Sequence, residues 1–558
     1  MPSRPWRRRI VAAGFAATAA ILLAACGSGS GGGDSAGGSA GGGSSSPSAG
    51  GSSLLTITTG AAGTFQDDFN PYSPNVEDAT NGMIYETLFF YDTAKTGEVD
   101  PWLATHYAWS NGGKALTVQL RHGVTWTDGK PFTSADVAFT FNLALKNAAL
   151  NRFALPLQSV TTSGAYSVTI NFKQPAYTDA YYALGRVDIL PQHIWQSIKD
   201  PATFLNTHPV GTGAFVLSKF SGQVFTLTAN PHYYLPGLPH FKTIRFLAFS
   251  GNTTSNAAIE SGEVDWAGSF IPNIKQNYLA KDPKFVVSDI PLSTAFLVPN
   301  MTSGPTAKLA VRQAISAALD RTAISKTVYN GYAPPTNPEA LITPNYNSVL
   351  DPSLASASFG TPSAARAKAI LARAGIKTPL NLTVDMVNGY TDYLSDLQIM
   401  VQELKPAGIN LTIAQPAYTQ FTSIQDTGKF QLLMDNFGYT PDPWSYYYSI
   451  LDSTITKPIG QVDTVGNYGR YKNPQVDALL NQIANTTSAS VQNPAFYKIE
   501  HIFAQQLPLI PLFEQQDEIE FNGNVVANYP TVANPYGAPA VYIQPDIGWI
   551  AARLVPVK

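Results

Sequence analysis

Seven histidines, a single cysteine and 38 acidic residues are the side chains of this 558-residue chain from which chemistry would most readily be built. The histidines, at 106, 122, 193, 208, 232, 240 and 501, fall at no spacing that suggests a metal site. With Cys26 alone, neither an intramolecular disulfide nor a cysteine-rich metal centre can form. The phosphate-cradling Gly-x-x-x-x-Gly-Lys-Ser/Thr loop and the His-Glu-x-x-His pair are missing, and no strand-to-helix Gly-x-Ser-x-Gly elbow occurs. Paired hydrolytic carboxylates stay open, because they can come from distant loops. No cofactor and no metal are expected. The densest cluster is Asp435 to Tyr448 (DNFGYTPDPWSYYY), where a glycine, two prolines and many aromatics crowd together. A loop of that composition can present flat rings to a cavity.

The elements that must position such side chains mix strands and helices throughout. Leu54–Thr59, Ala115–Leu120, Ser167–Phe172 and Thr243–Phe249 read as strands, and Phe215–Lys219 with Phe225–Ala229 reads as a hairpin around Ser221-Gly222. Thr80–Phe90 reads as helical. Thr133 followed by Asp136 is a helix-start pattern, since the hydroxyl accepts from a first-turn amide and the acid suits the positive end of the helix. Further on, Val311–Leu319 is amphipathic, Thr361-Pro362 opens a helix that stops at Gly375, and Asn473-Pro474 opens another. Leu382–Val387 and Leu411–Ala414 read as strands around a helix at Leu394–Leu404. The expected class is α/β with at least two lobes, because one core rarely serves more than about 300 residues. A net charge of −3 argues against non-specific nucleic-acid binding over the whole surface.

The amino end differs in kind. Arg4, Arg7, Arg8 and Arg9 precede an apolar stretch, Ile10 to Leu23, which is shorter than the roughly 20 residues a membrane span requires. Leu23-Ala24-Ala25-Cys26-Gly27 follows and resembles the lipobox of bacterial lipoproteins. The resemblance implies cleavage after residue 25 and lipid on Cys26. Residues 27–53 are almost only Gly, Ser and Ala, and read as a flexible tether on the order of 25–30 Å across.

Several stretches along the body, in order, resemble the extracytoplasmic solute-binding proteins of ABC importers, in the family that takes peptides, nickel chelates and some oligosaccharides. They include Asn70-Pro71-Tyr72, Pro101-Trp102-Leu103-Ala104-Thr105, Trp126-Thr127-Asp128-Gly129-Lys130-Pro131-Phe132, Pro209-Val210-Gly211-Thr212-Gly213 and Gly262-Glu263-Val264-Asp265-Trp266. Later come Val311-Arg312-Gln313-Ala314-Ile315, Ala318-Leu319-Asp320-Arg321, Gly438 to Pro443, and Tyr471 to Asp477. The resemblance implies a two-lobed periplasmic-binding-protein-like clamshell with an extra subdomain, closing by a hinge on its ligand. The implied division is 54–98, 206–303 and 511–558 for the first lobe, 99–205 for the extra subdomain and 304–510 for the second lobe. It also implies an anchored extracellular component that captures oligopeptides for a membrane permease, acts as a monomer, does not bind nucleic acid and does not catalyse. The alternative ligand is an oligosaccharide. A surface hydrolase and a structural surface protein are the competing classes.

The expected ligand-binding residues are Asn436, Phe437, Tyr439, Asp442 and Trp444, with Trp266 and Phe296 facing them. Asn436 and Tyr439 take the positions that contact ligand in peptide-binding members. Those members carry an aspartate where this chain has Tyr439, and that aspartate meets the peptide's ammonium. A buried ammonium without a counter-charge is costly. A peptide therefore requires Asp435, Asp442 or a distant acid to turn inward, whereas a sugar requires only rings and neutral hydrogen-bonding groups.

Overall fold

The computed structural model describes residues 53–558 apart from 61, 62, 289, 344, 355, 439 and 517. The signal-like segment, Cys26 and the tether therefore lie outside the described residues.

The first sheet has the order Leu54–Ile57, Thr243–Leu247, Val224–Ala229, Phe215–Phe220, with the first pair parallel and the others antiparallel. Alternation along these strands buries Leu55, Ile57, Phe225, Leu227, Ile244 and Phe246 in one core. Trp266 bridges Ile57 on one side and Phe521 on the other, which joins the antiparallel pair Phe285–Ser288 and Ile519–Asn522 to this lobe. A separate antiparallel sheet has the order Ala104–Ser110, Ala115–Leu120, Ser167–Phe172, Leu157–Thr162. Helix Ser134–Lys146 packs on it, started by the expected cap. The Thr133 hydroxyl accepts from the Ala135 amide at 3.3 Å, and Asp136 accepts from the Thr133 amide at 2.9 Å.

The second main sheet has five strands, in the order Ile409–Ala414, Leu380–Asp385, Leu432–Gly438, Pro291–Pro299, Ile510–Gln516. Leu380–Asp385 runs parallel to both neighbours, while Pro291–Pro299 is antiparallel to both of its own. Helices Leu309–Ala318, Ala364–Arg373 and Thr391–Leu404 bury Val311, Ile315, Leu371, Leu397 and Met400 against it. Two arginines from the family-like stretches are scaffold here. Arg312 donates to the carbonyls of Thr306, Ala307 and Leu507, and Arg321 to that of Pro511 at 2.7 Å.

The chain passes between the two lobes in adjacent strands. Phe285–Ser288 belongs to the first lobe and Pro291–Pro299 to the second sheet, and Ile510–Gln516 returns to Ile519–Asn522 in the same way. Pro291–Pro299 and Ile510–Gln516 thus ladder with the second lobe, although the sequence division gives 291–299 and 511–516 to the first. Strand pairing decides membership there, and linear order does not report it. Two local expectations also change. Thr80–Phe90 is a helical turn at Thr80–Ile84, interrupted at Asn81 and Gly82, before the strand Phe89–Tyr91. The helix expected from Thr361 starts at Ala364, capped by the Ser363 hydroxyl.

Candidate ligand cleft

A cavity of about 490 Å³ opens where the two lobes face each other. The first lobe contributes Thr59, Gly60, Gln66, Glu77, Asp78 and Ser269. The second contributes Tyr390, Asp392, Tyr393, Gln425, Asp435 and Asn436. Among the described residues, five carboxylates line it (Glu77, Asp78, Asp392, Asp435 and Glu518), and no Lys, Arg or His does. Burial pushes the Asp435 carboxyl up to about 7, Glu77 up to about 8, and Asp78 and Asp392 each up to about 6. Acids so placed gain from a cation that replaces lost water. Tyrosines supply much of the remaining wall: Tyr329, Tyr332, Tyr390, Tyr393, Tyr418 and Tyr542.

Hydrogen bonds hold the walls in place. Asn436 donates through Nδ2 to the Tyr393 hydroxyl at 3.0 Å. Asp435 accepts from the Asn436 amide at 2.9 Å and from Gln425 Nε2. On the facing lobe Asp78 accepts from Gln544 Nε2 at 2.6 Å, and Gln544 in turn accepts from Asn81 at 2.6 Å. A second chamber of about 440 Å³ shares Gln425, Asp435, Asn436 and Tyr542 with the first, and is otherwise lined by Arg152, Phe153, Arg186, Phe437, Tyr468 and others.

The expected residues divide between cavity and core. Asn436 lines both chambers and Phe437 lines the second, packed on Tyr468 at 5.8 Å. Tyr439 lies outside the described residues. Asp442 lines neither chamber; it caps helix Pro443–Leu451, accepting from the Ser445 amide at 2.8 Å and the Ser445 hydroxyl at 2.7 Å. Trp444 is in the core, stacked on Tyr448 at 4.6 Å and donating to the Leu480 carbonyl at 2.9 Å. Trp266 is fully buried, stacked on Phe521 at 5.6 Å and donating to the Pro539 carbonyl at 2.8 Å. Phe296 is fully buried within its sheet, opposite Asp435 in register. The structure thus brings Asn436 and Phe437 to the cleft and leaves Asp442, Trp444, Trp266 and Phe296 away from its walls. Sequence reading missed Glu77, Asp78, Tyr390, Tyr393 and Gln425. The available signal for the first two is the turn-rich stretch Asp67 to Asn75 (DDFNPYSPN), just before Glu77.

Two α/β lobes joined by paired crossing strands, with a polar cleft between them, define a two-lobed clamshell built to enclose a small solute. The chain belongs to the bacterial extracellular solute-binding proteins of family 5, whose middle-region model matches residues 98–458. It is therefore an extracytoplasmic solute-binding component of an ABC importer, in a family of transport proteins rather than catalysts. It is 26% identical over 468 residues to the glutathione-binding protein GsiB of Escherichia coli K12, covering 81% of this chain and 88% of that one. The periplasmic oligopeptide-binding protein of Thermotoga maritima, solved with mannohexaose bound, superposes with a TM-score of 0.82 at 24% identity, covering 90% of this chain and 98% of that one. DppA of Helicobacter pylori, solved with the peptide STSA, superposes at 0.76 with 19% identity, covering 88% and 97%.

Proposed function

We propose that this protein captures oligopeptides outside the cell and hands them intact to a membrane permease, as a monomer tethered by lipid on Cys26. The observation that carries the ligand class is Asp435. The family's ammonium-binding aspartate is replaced by Tyr439, yet an acid from the same segment lines the cleft, with Asp78 and Glu77 facing from the other lobe. A peptide ammonium gives these buried carboxylates the counter-charge that a neutral sugar lacks. The ligands of the GsiB and DppA relatives point the same way. Asn436 and Phe437 contact the ligand in this reading, and Tyr439 remains a candidate beside them. Trp444, Trp266, Phe296 and Asp442 lie outside the walls of both chambers.

The deciding experiment is mass spectrometry of the ligand released by denaturing natively purified protein. A mixture of intact peptides is expected. A uniform hexose ladder, in keeping with the tyrosine-rich wall and the mannohexaose in the Thermotoga relative, would replace the peptide reading with the oligosaccharide one. Turnover of the bound material would reopen the hydrolase class. Replacing Cys26 by Ser should release the protein from membranes, and retention equal to wild type would refute the anchor.

A further inference from the structure

We infer that the larger, acidic chamber selects basic peptides, taking a Lys or Arg side chain in addition to the terminal ammonium. The inference rests on the peptide reading above and deepens it by naming the class of peptide. The chamber is a ligand site by its place between the lobes of a solute-binding fold, and its charge decides what enters. Glu77 and Asp78 come from one lobe, Asp392 and Asp435 from the other, and Glu518 from the crossing segment between Gln516 and Ile519. Among the described residues, Glu77, Asp78, Asp392 and Asp435 have no Lys, Arg or His within 4.0 Å. Asp78 accepts from Gln544, and Asp435 from Gln425 and the Asn436 amide, all neutral donors. Arg152 and Arg186 of the smaller chamber carry their own acid. Both line a third cavity with buried Asp188, and their charges act on its carboxyl.

One terminal ammonium compensates one carboxylate. A peptide with neutral side chains leaves the other acids facing one another across a cleft that excludes water as it closes, where like charges repel most strongly. A second cation removes that repulsion, and an acidic side chain adds to it. The aromatic walls suit the same ligand. Tyr390 lies in the field of Asp392, Asp435 and Asp78, and Tyr418 in that of Asp78, Asp435 and Asp426. Acids of both lobes therefore surround these rings. Tyr418 is 47% exposed although it lines the cavity, so a large ring stands open to whatever enters. A tyrosine face attracts a cation, and more so once water is excluded. Lys and Arg bring an alkyl stem for the rings and a charge for the acids.

The test uses the purified full chain and three mixtures of random tri- to pentapeptides with free ends. The mixtures are alike except that one internal residue is Lys, norleucine or Glu. Norleucine keeps the alkyl stem of lysine and lacks its ammonium. Capture at neutral pH is read by mass spectrometry. Wild type should retain Lys peptides over norleucine peptides by about thirtyfold, the size expected when one partner of a desolvated charge pair is removed, and Glu peptides least of all. D78N and D392N, each checked by thermal unfolding, should each lower the Lys-to-norleucine ratio by about tenfold. Equal capture of Lys and norleucine peptides by wild type would overturn the selection of basic peptides and leave the peptide reading standing. An undiminished ratio in both variants would overturn it too, because these acids would not be its cause. Capture of none of the mixtures would overturn the peptide reading and this inference with it. The wild-type comparison does not depend on how any variant folds.

Discussion

The two halves of the segment Asp435 to Tyr448 look alike in sequence and do different work. The first half, through Gly438, is the end of a strand whose side chains reach the cleft: Asp435 and Asn436 line both chambers, and Phe437 lines the second. Gly438 is needed there because a Cβ would collide with the Leu292 carbonyl of the adjacent strand. The second half, from Asp442, turns into helix Pro443–Leu451 and drives Trp444, Tyr446 and Tyr447 into the core. Aromatic richness reports neither outcome by itself. A ring serves a cavity wall and a packed core equally well, and the choice is made by which elements lie behind it.

That contrast can be broken by substitution. The largest effect is expected from Trp444→Ala, which empties a core position and should cost about 3–5 kcal/mol of stability in chemical denaturation. If stability holds and only ligand affinity falls, Trp444 belongs to the cleft. Asp435→Asn should reverse the pattern. Binding of a free-amine peptide should weaken by about 2–3 kcal/mol in calorimetry, with little loss of stability. An unchanged affinity would remove Asp435 from the site.

The pH dependence sharpens the same point. Burial raises the Asp435 carboxyl to about 7 and Glu77 to about 8 in the folded chain, from ordinary values of 3.8 and 4.5. A raised acid favours the folded state below its unfolded pKa, and that contribution is lost as pH rises through the folded value. The ligand-free protein should therefore lose stability between about pH 4 and pH 8. Affinity for an amine-bearing peptide should move the other way and be stronger at pH 8 than at pH 5, because the ionised acids pair with the ammonium. Asp435→Asn should flatten the affinity profile. The smallest effect belongs to Asp442→Ala, which removes a helix cap and should cost about 1 kcal/mol with affinity unchanged.

Much of the local structure was legible because it depends on neighbours in sequence. The cap at Thr133, the start at Asn473-Pro474 and the alternating burial of Ser167–Phe172 follow from residues within one turn or one strand. The helix expected over Thr80–Phe90 was not, because apolar spacing there serves a short turn and then a strand paired with Val99–Pro101. In the cleft, Asn436 and Phe437 were legible by position. Glu77, Asp78, Tyr390 and Arg186 were not, since they come from separate segments with no shared motif.

By itself, then, the sequence determined the α/β class, the family and the region from which one wall of the cleft is built. These depend on composition and on short ordered stretches, which a linear chain carries in full. The tertiary structure alone decided that five carboxylates gather in one chamber and two arginines in the next, and that Trp266 and Phe296 serve the core. The reason is physical. Charge complementarity and burial are properties of distance in space, and here they are set by crossing strands that bring together residues hundreds of positions apart.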